Sequence, residues 1–286
     1  MDHSPGVPKA RRFAPISGRR TRYRPKYARP VMAAPHGRML SPAQPRFLPV
    51  GDLGISIEFG TEITEQANDA VASLDHAIAA ADLPGIVETV PSFRSLLVTF
   101  EPALTDRSGL LERLRSLTAT ADARLLPPGR RWSVPVVYDT PFGEDLPQLS
   151  DLLGLSPREI VAAHTSTNFR VYMLGFQPGL PNLGGLPPAL HISRRTTPRP
   201  PVPGGSVTIG GIQAAIMPLP TPTGFYLLGR TPIRLFDRRR PEPALFRAGD
   251  WVRFRAIPPS EFEELSQAVA AGQIDAGAVL EPEHAP

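Results

Sequence analysis

From Phe47 the chain alternates: in VGDLGISIEFG, Ile55, Ile57 and Phe59 are separated by polar partners, the period of a half-buried strand. TEQANDAVASLDHAIAAADL then places Ala67, Val71, Leu74 and Ile78 at helical spacing, with Thr64 as N-cap and Pro84-Gly85 as the stop. His76 falls on the polar side of that helix. GIVETVPSFRSLLVTFEP predicts two short strands broken at Pro91, with Leu97 and Phe100 among the inward residues, and SGLLERLRSL predicts a second amphipathic helix. The order β-α-β-β-α over residues 46–121 predicts a small two-layer α/β domain. ADARLLPPGRR, residues 121–131, is a proline-containing joint that marks its end.

The second half opens with the strand WSVPVVYD and continues through helical EDLPQLSDLLG and SPREIVAAH, where Ser156 caps and Pro157 takes the first helical position. NFRVYMLGF, GSVTIGG, AAIMPL, GFYLLGR, IRLFD and WVRFRAI are β-branched or aromatic runs separated by Gly and Pro turns, which predicts a β-barrel over 131–258. SEFEELSQAVAAG predicts a helix within the terminal segment 259–286. Directly after FRVYML, the stretch GFQPGLPNLGGLP (175–187) contains four glycines and three prolines. Such a stretch reads as a loop held to one shape with few side chains in the way, which suits the rim of a pocket.

Charge changes the picture at the N-terminus. Residues 1–45 hold 10 of the 31 basic residues and only Asp2 of the 27 acids, or +9; the other 241 residues carry 21 basic and 26 acidic groups, or −5. This Pro/Arg-rich segment has no hydrophobic period and is expected to be a disordered tail. It also reads as a tail for nucleic acid or an anionic surface, or as upstream sequence with Met39 as the true start. Both lysines, Lys9 and Lys26, lie in it, so the body offers no lysine for a Schiff base or a Walker phosphate loop, and neither GxxxxGK[ST] nor GxGxxG occurs.

Cysteine is absent and the six histidines show no HxH or HxxxH spacing, so thiol chemistry is excluded and no metal cluster is expected. With 41 % hydrophobic and 20 % charged residues and no long apolar run, the expectation is a cytoplasmic protein with no membrane and no nucleic-acid partner.

Several residues could carry chemistry. His164 ends the SPREIVAAH helix, where an imidazole can shuttle a proton or cap the helix. Arg194, Arg195 and Arg199 form a guanidinium cluster on a proline-stiffened loop, suited to a carboxylate or phosphate, or else a solvated basic loop. Pro203 to Ser206 can form an anion-binding nest, and Gln213 can recognise an amide; ordinary hairpin chemistry would account for both. Asp139, Glu144, Asp145, Asp237 and Asp250 have no spacing that pairs them for acid-base work, and no GxSxG elbow occurs.

VGD, EFG, PGIVETVPSFRSLLVTFEP, VPVVYD, His164, LGFQPGLPNLGGLP, SRRTTPRPPVPGGSVTIGG, GRTP, LFD and AGDWVRF occur in order between about Phe47 and Ile257. In this the chain resembles the carboxyltransferase-domain subunit 1 family, which includes the B subunit of bacterial ATP-dependent 5-oxoprolinase, allophanate hydrolase subunit 1 and the Kip-I type inhibitor of a sporulation histidine kinase. The resemblance implies an α+β fold, the N-terminal α/β domain followed by a cyclophilin-like β-barrel. It implies ring-opening amide hydrolysis of 5-oxoproline to glutamate, shared with a LamB/YcsF-type A subunit and a homologous carboxyltransferase-type subunit, with ATP bound together with the partner. The alternatives are an allophanate hydrolase or urea carboxylase-type subunit, and a non-catalytic regulatory protein that binds a histidine kinase.

On this reading His164 and Gln213 are the catalytic candidates, and Phe176, Gln177, Asn182, Arg195, Arg199 and Ser206 bind the small amide substrate. An enzyme should gather His164, Gln213 and the arginines in one pocket with the 175–187 loop, whereas a regulator should show an exposed apolar patch. The chain departs from the family's usual residues at Leu180, Asn182, Ala214, Ala215, Thr223 and Phe225, which changes the chemistry of one cleft region.

Overall fold

The computed structural model describes residues 45–274 and 279–280, so the expected tail falls, except for Pro45, outside the described residues. Strands β1 (Arg46–Val50), β2 (Gly54–Glu58), β3 (Ile86–Pro91) and β4 (Ser95–Phe100) form an antiparallel sheet in the order β1-β2-β4-β3. The expected strand at 50–59 begins at Gly54, because residues 51–53 turn the chain back onto β1, a short strand the alternation did not reveal. Helices α1 (Glu65–Ala81) and α2 (Arg107–Thr120) pack on the sheet. Thr64 caps α1 by accepting from the Ala67 N–H at 3.1 Å, and Ala67, Val71, Leu74 and Ile78 all face the core with Ile55, Ile57 and Phe59. On β4 the inward set is Leu96, Val98 and Phe100. Leu97 is only half-buried, since residues three apart on a strand point to opposite faces.

The second half contains β5 (Arg131–Val136), α3 (Leu146–Leu153), α4 (Pro157–Thr165), β6 (Asn168–Leu174), β7 (Pro181–Gly184), β8 (Arg199–Val202) and β9 (Ser206–Gly210). It continues with β10 (Gln213–Ile216), β11 (Thr221–Thr223), β12 (Tyr226–Arg230), β13 (Trp251–Ala256) and α5 (Pro259–Ala270). Seven strands run in the order β12-β9-β10-β7-β6-β13-β5. Val137 and Arg230 exchange reciprocal backbone hydrogen bonds of 2.9 Å, which joins the two outer strands and closes the barrel. The expected α+β architecture, a two-layer α/β part followed by a β-barrel, is what the structure shows.

Three places in the second half differ from expectation. IRLFD is not a strand and contributes one isolated bridge, Phe236 to Ala244. The proline-rich RPPV and TPT pair with each other as β8 and β11. Part of the expected loop 175–187 is β7, hydrogen-bonded between β6 and β10.

Two buried polar residues fix the assembly. Asp250, in the AGDWVRF motif, accepts from Arg130 Nη2 at 2.7 Å, Trp132 Nε1 at 2.9 Å and the Arg247 N–H at 2.8 Å, which sets the parallel pairing of β5 with β13. Asn68 on α1 donates to the Tyr172 carbonyl at 3.2 Å and to the Ser92 and Phe93 carbonyls at 3.3 Å, tying the α/β part to β6. Both are stable inside because their polar atoms have partners.

Candidate functional site

A cleft of about 310 Å³ opens on the outer face of β7 and β10. After β6 the chain turns sharply: the Gly175 N–H donates to the Leu180 carbonyl and the Leu180 N–H to the Gln177 carbonyl, both at 3.1 Å. Within this turn Phe176 has φ of 72°, left-handed for a residue with a Cβ, and its side chain stands out at the rim, 86 % exposed. β7 then fixes Asn182 in register with Met173 and Ala215. Leu180, Ala215 and Met217 form the apolar floor, and Phe225 forms one wall. Phe225 sits so close to β9 that a Cβ on Gly210 would meet its ring at 2.7 Å, so glycine is required there.

The opposite edge is set by one backbone hydrogen bond. The Arg195 N–H donates to the Gly224 carbonyl at 2.8 Å, which pins residues 194 and 195 beside the 224–226 segment. The neighbouring side chains then diverge. Arg194 stands over the Phe225 ring at 4.7 Å and lines the cleft, while Arg195 stands over Tyr226 at 5.3 Å.

Arg195 and Arg199 are engaged elsewhere. Buried Asp145 accepts from Arg199 at 2.8 and 3.2 Å, from Arg195 at 3.5 Å and from the Leu227 N–H at 2.7 Å. Glu144 pairs with Arg199 at 2.7 Å and Gln148 accepts from Arg195 at 2.9 Å. The two guanidinium charges are therefore compensated within the fold: Arg195 and Arg199, expected to bind substrate, hold α3 against β12 and the 195–199 loop and do not line this cleft.

Of the other candidates, Phe176 and Asn182 reach the cleft, whereas His164, Gln213 and Ser206 do not. His164 has no solvent exposure; its Nδ1 lies 2.9 Å from the Tyr138 hydroxyl and its ring stacks on Phe254 at 4.4 Å. Burial pushes its pKa down to about 3 and raises that of Tyr138, so the imidazole is a neutral core group, neither a catalyst facing this cleft nor a charged helix cap. Ser206 is buried and donates to the Pro203 carbonyl at 2.8 Å, while the Gly205 and Ser206 N–H groups donate to the Met217 and Pro203 carbonyls. No anion nest is open there. Gln213 is half-buried at the start of β10, opposite Gly210 and beyond the cleft's end. Gln177 supports the turn and its Oε1 is buried without a hydrogen-bond partner among the described residues.

Of the cleft residues left out of the expected substrate-binding set, Arg194 and Phe225 carry the charge and the aromatic wall. The signal for Phe225 was its departure from the family's usual residue; nothing local separates Arg194 from Arg195.

Known proteins resemble this chain in sequence and in fold. The carboxyltransferase domain, subdomain C and D, matches residues 45–246, which include every residue of the cleft. The chain is 36 % identical over 223 residues to the B subunit of 5-oxoprolinase from Bacillus subtilis, covering 74 % of this chain and 93 % of that protein. It is 38 % identical over 212 residues to the B subunit of 5-oxoprolinase from Escherichia coli O157:H7, covering 74 % and 95 %. The crystal structure of TTHA0988 superposes with a TM-score of 0.63 at 38 % identity, over 72 % of this chain and 40 % of that one. The urea carboxylase of Kluyveromyces lactis shares the fold, with a TM-score of 0.67 at 22 % identity over 85 % of this chain and 24 % of that one. The chain belongs to the carboxyltransferase domain, subdomain C and D, family.

Proposed function

We propose that this chain is the B subunit of an ATP-dependent 5-oxoprolinase and holds the lactam while a partner subunit supplies the reactive groups. The observation that carries this reading is the match to proteins named as the B subunit of 5-oxoprolinase over 93 % and 95 % of their lengths. The cleft's chemistry supports it. An apolar floor and the Phe225 wall suit a small ring, and the Asn182 amide offers one donor and one acceptor to a lactam N–H and C=O.

The residues lining the cleft include no Asp, Glu, His or Lys, so they supply no general base and no nucleophilic amine. They can bind and orient the amide. Activation of its carbonyl and delivery of water then fall to groups brought by a LamB/YcsF-type protein and a homologous carboxyltransferase-type subunit. ATP is assigned to the partner side as well. Arg195 and Arg199 are neutralised by Asp145 and Glu144, and the chain carries no phosphate-loop motif, so neither feature is set aside for a triphosphate.

The test is glutamate release dependent on ATP and 5-oxoproline by this protein mixed with the two candidate partners, each omitted in turn. Release that requires this chain supports the reading. No release from a complex that demonstrably assembles overturns it in favour of another amide substrate or a regulatory role.

A further inference from the structure

We infer that Arg194 is the specificity-determining residue of the cleft and selects substrates bearing a carboxylate next to the lactam. This rests on the 5-oxoprolinase reading and deepens it. Three guanidinium groups lie close in sequence, and the fold treats them differently. Arg195 and Arg199 converge on Asp145 and Glu144, whereas among the described residues no carboxylate pairs with Arg194. Arg194 instead borders a cleft whose lining contains no acidic residue. It is the cleft's sole cationic side chain among the described residues.

Its setting is that of an anchor. The backbone hydrogen bond from Arg195 to Gly224 fixes the segment, and the guanidinium is held over the Phe225 ring at 4.7 Å. A guanidinium resting over an aromatic ring, with no carboxylate partner, has N–H donors left for a bidentate carboxylate. Phe225 is in turn seated by the missing Cβ of Gly210. A small ring with an acid group would lay its methylenes on Leu180, Ala215 and Met217, turn its amide to Asn182 and place its carboxylate on Arg194. A neutral lactam would keep the first two contacts and lose the third.

The experiment compares 5-oxoproline with 2-pyrrolidone, the same lactam without the carboxylate, on wild type, Arg194→Gln and Arg194→Lys. In the reconstituted complex, Arg194→Gln should raise KM for 5-oxoproline roughly 30-fold or more with kcat within about threefold, because a ground-state anchor contributes uniform binding. Arg194→Lys should restore only part of the loss, since an ammonium cannot form the bidentate pair. Calorimetry on the isolated chain should show 5-oxoproline bound more tightly than 2-pyrrolidone by wild type and the two bound alike by Arg194→Gln. Equal binding of the two lactams by wild type, or binding of neither, overturns the assignment even if Arg194→Gln fails to fold. A complex that releases no glutamate while the isolated chain still prefers the carboxylated lactam through Arg194 sinks the 5-oxoprolinase reading alone.

Discussion

The Tyr138 hydroxyl lies 2.9 Å from Nδ1 of His164, inside the barrel, and the imidazole has no contact with solvent. Burial of the imidazole makes stability depend on pH with a defined sign. His164 takes up a proton near pH 3 in the folded protein, against about 6.5 in an unfolded chain. Between those values the unfolded state binds more protons, so stability is full above about pH 6.5 and falls as the pH drops. At pH 5 the loss from this residue is about 2 kcal/mol. Urea unfolding at pH 7 and pH 5 should show it, and His164→Gln should be less stable at pH 7 but much less sensitive to the change.

Asp145 joins Arg195, Arg199 and the Leu227 N–H, so its removal strands a buried donor and leaves the half-buried Arg199 with Glu144 as its one carboxylate partner. Asp145→Ala should cost about 3 to 5 kcal/mol. Arg195→Ala, which loses one long contact to Asp145, one to Gln148 and the Tyr226 ring contact, should cost about 1 kcal/mol. Denaturant titration separates the two, and a large loss for Arg195 with none for Asp145 would contradict the network as drawn.

Phe176 adopts a left-handed backbone with its ring in solvent, so glycine relieves strain without uncovering apolar surface. Phe176→Gly should exceed Phe176→Ala in stability by about 1 kcal/mol, the usual cost of a Cβ in that region. Equal unfolding midpoints for the two variants would show that the turn carries no such strain.

A Cβ on Gly210 would meet the Phe225 ring at 2.7 Å, and Phe225 carries Arg194. Gly210→Ala should cost about 1 to 3 kcal/mol and weaken lactam binding by displacing Phe225. Binding measured well below the unfolding temperature separates the two effects; unchanged affinity would place the ligand elsewhere.

The legible parts of this fold are those fixed by near neighbours. Thr64 capping α1, and Ser156, Pro157 and Glu159 starting α4 with a capping box, are written within four residues of where they act. β7, β8 and β11 were hidden because Gly and Pro argue locally for turns, and only pairing with distant strands makes PNLG, RPPV and TPT extended. Site residues failed for the same reason. Whether Arg194 or its neighbour faces the cleft depends on Asp145, some 50 residues away in sequence, and His164 could be recognised as a core group only once Tyr138, Phe169 and Phe254 enclosed it.

The most direct test of lactam binding in the cleft is a crystal structure of this chain, alone or with its partner, grown with 5-oxoproline. The lactam should lie in the cleft, its amide at Asn182 and its carboxylate at the guanidinium that rests on Phe225. A ligand bound elsewhere on the barrel, with the Phe176 cleft empty, would contradict it.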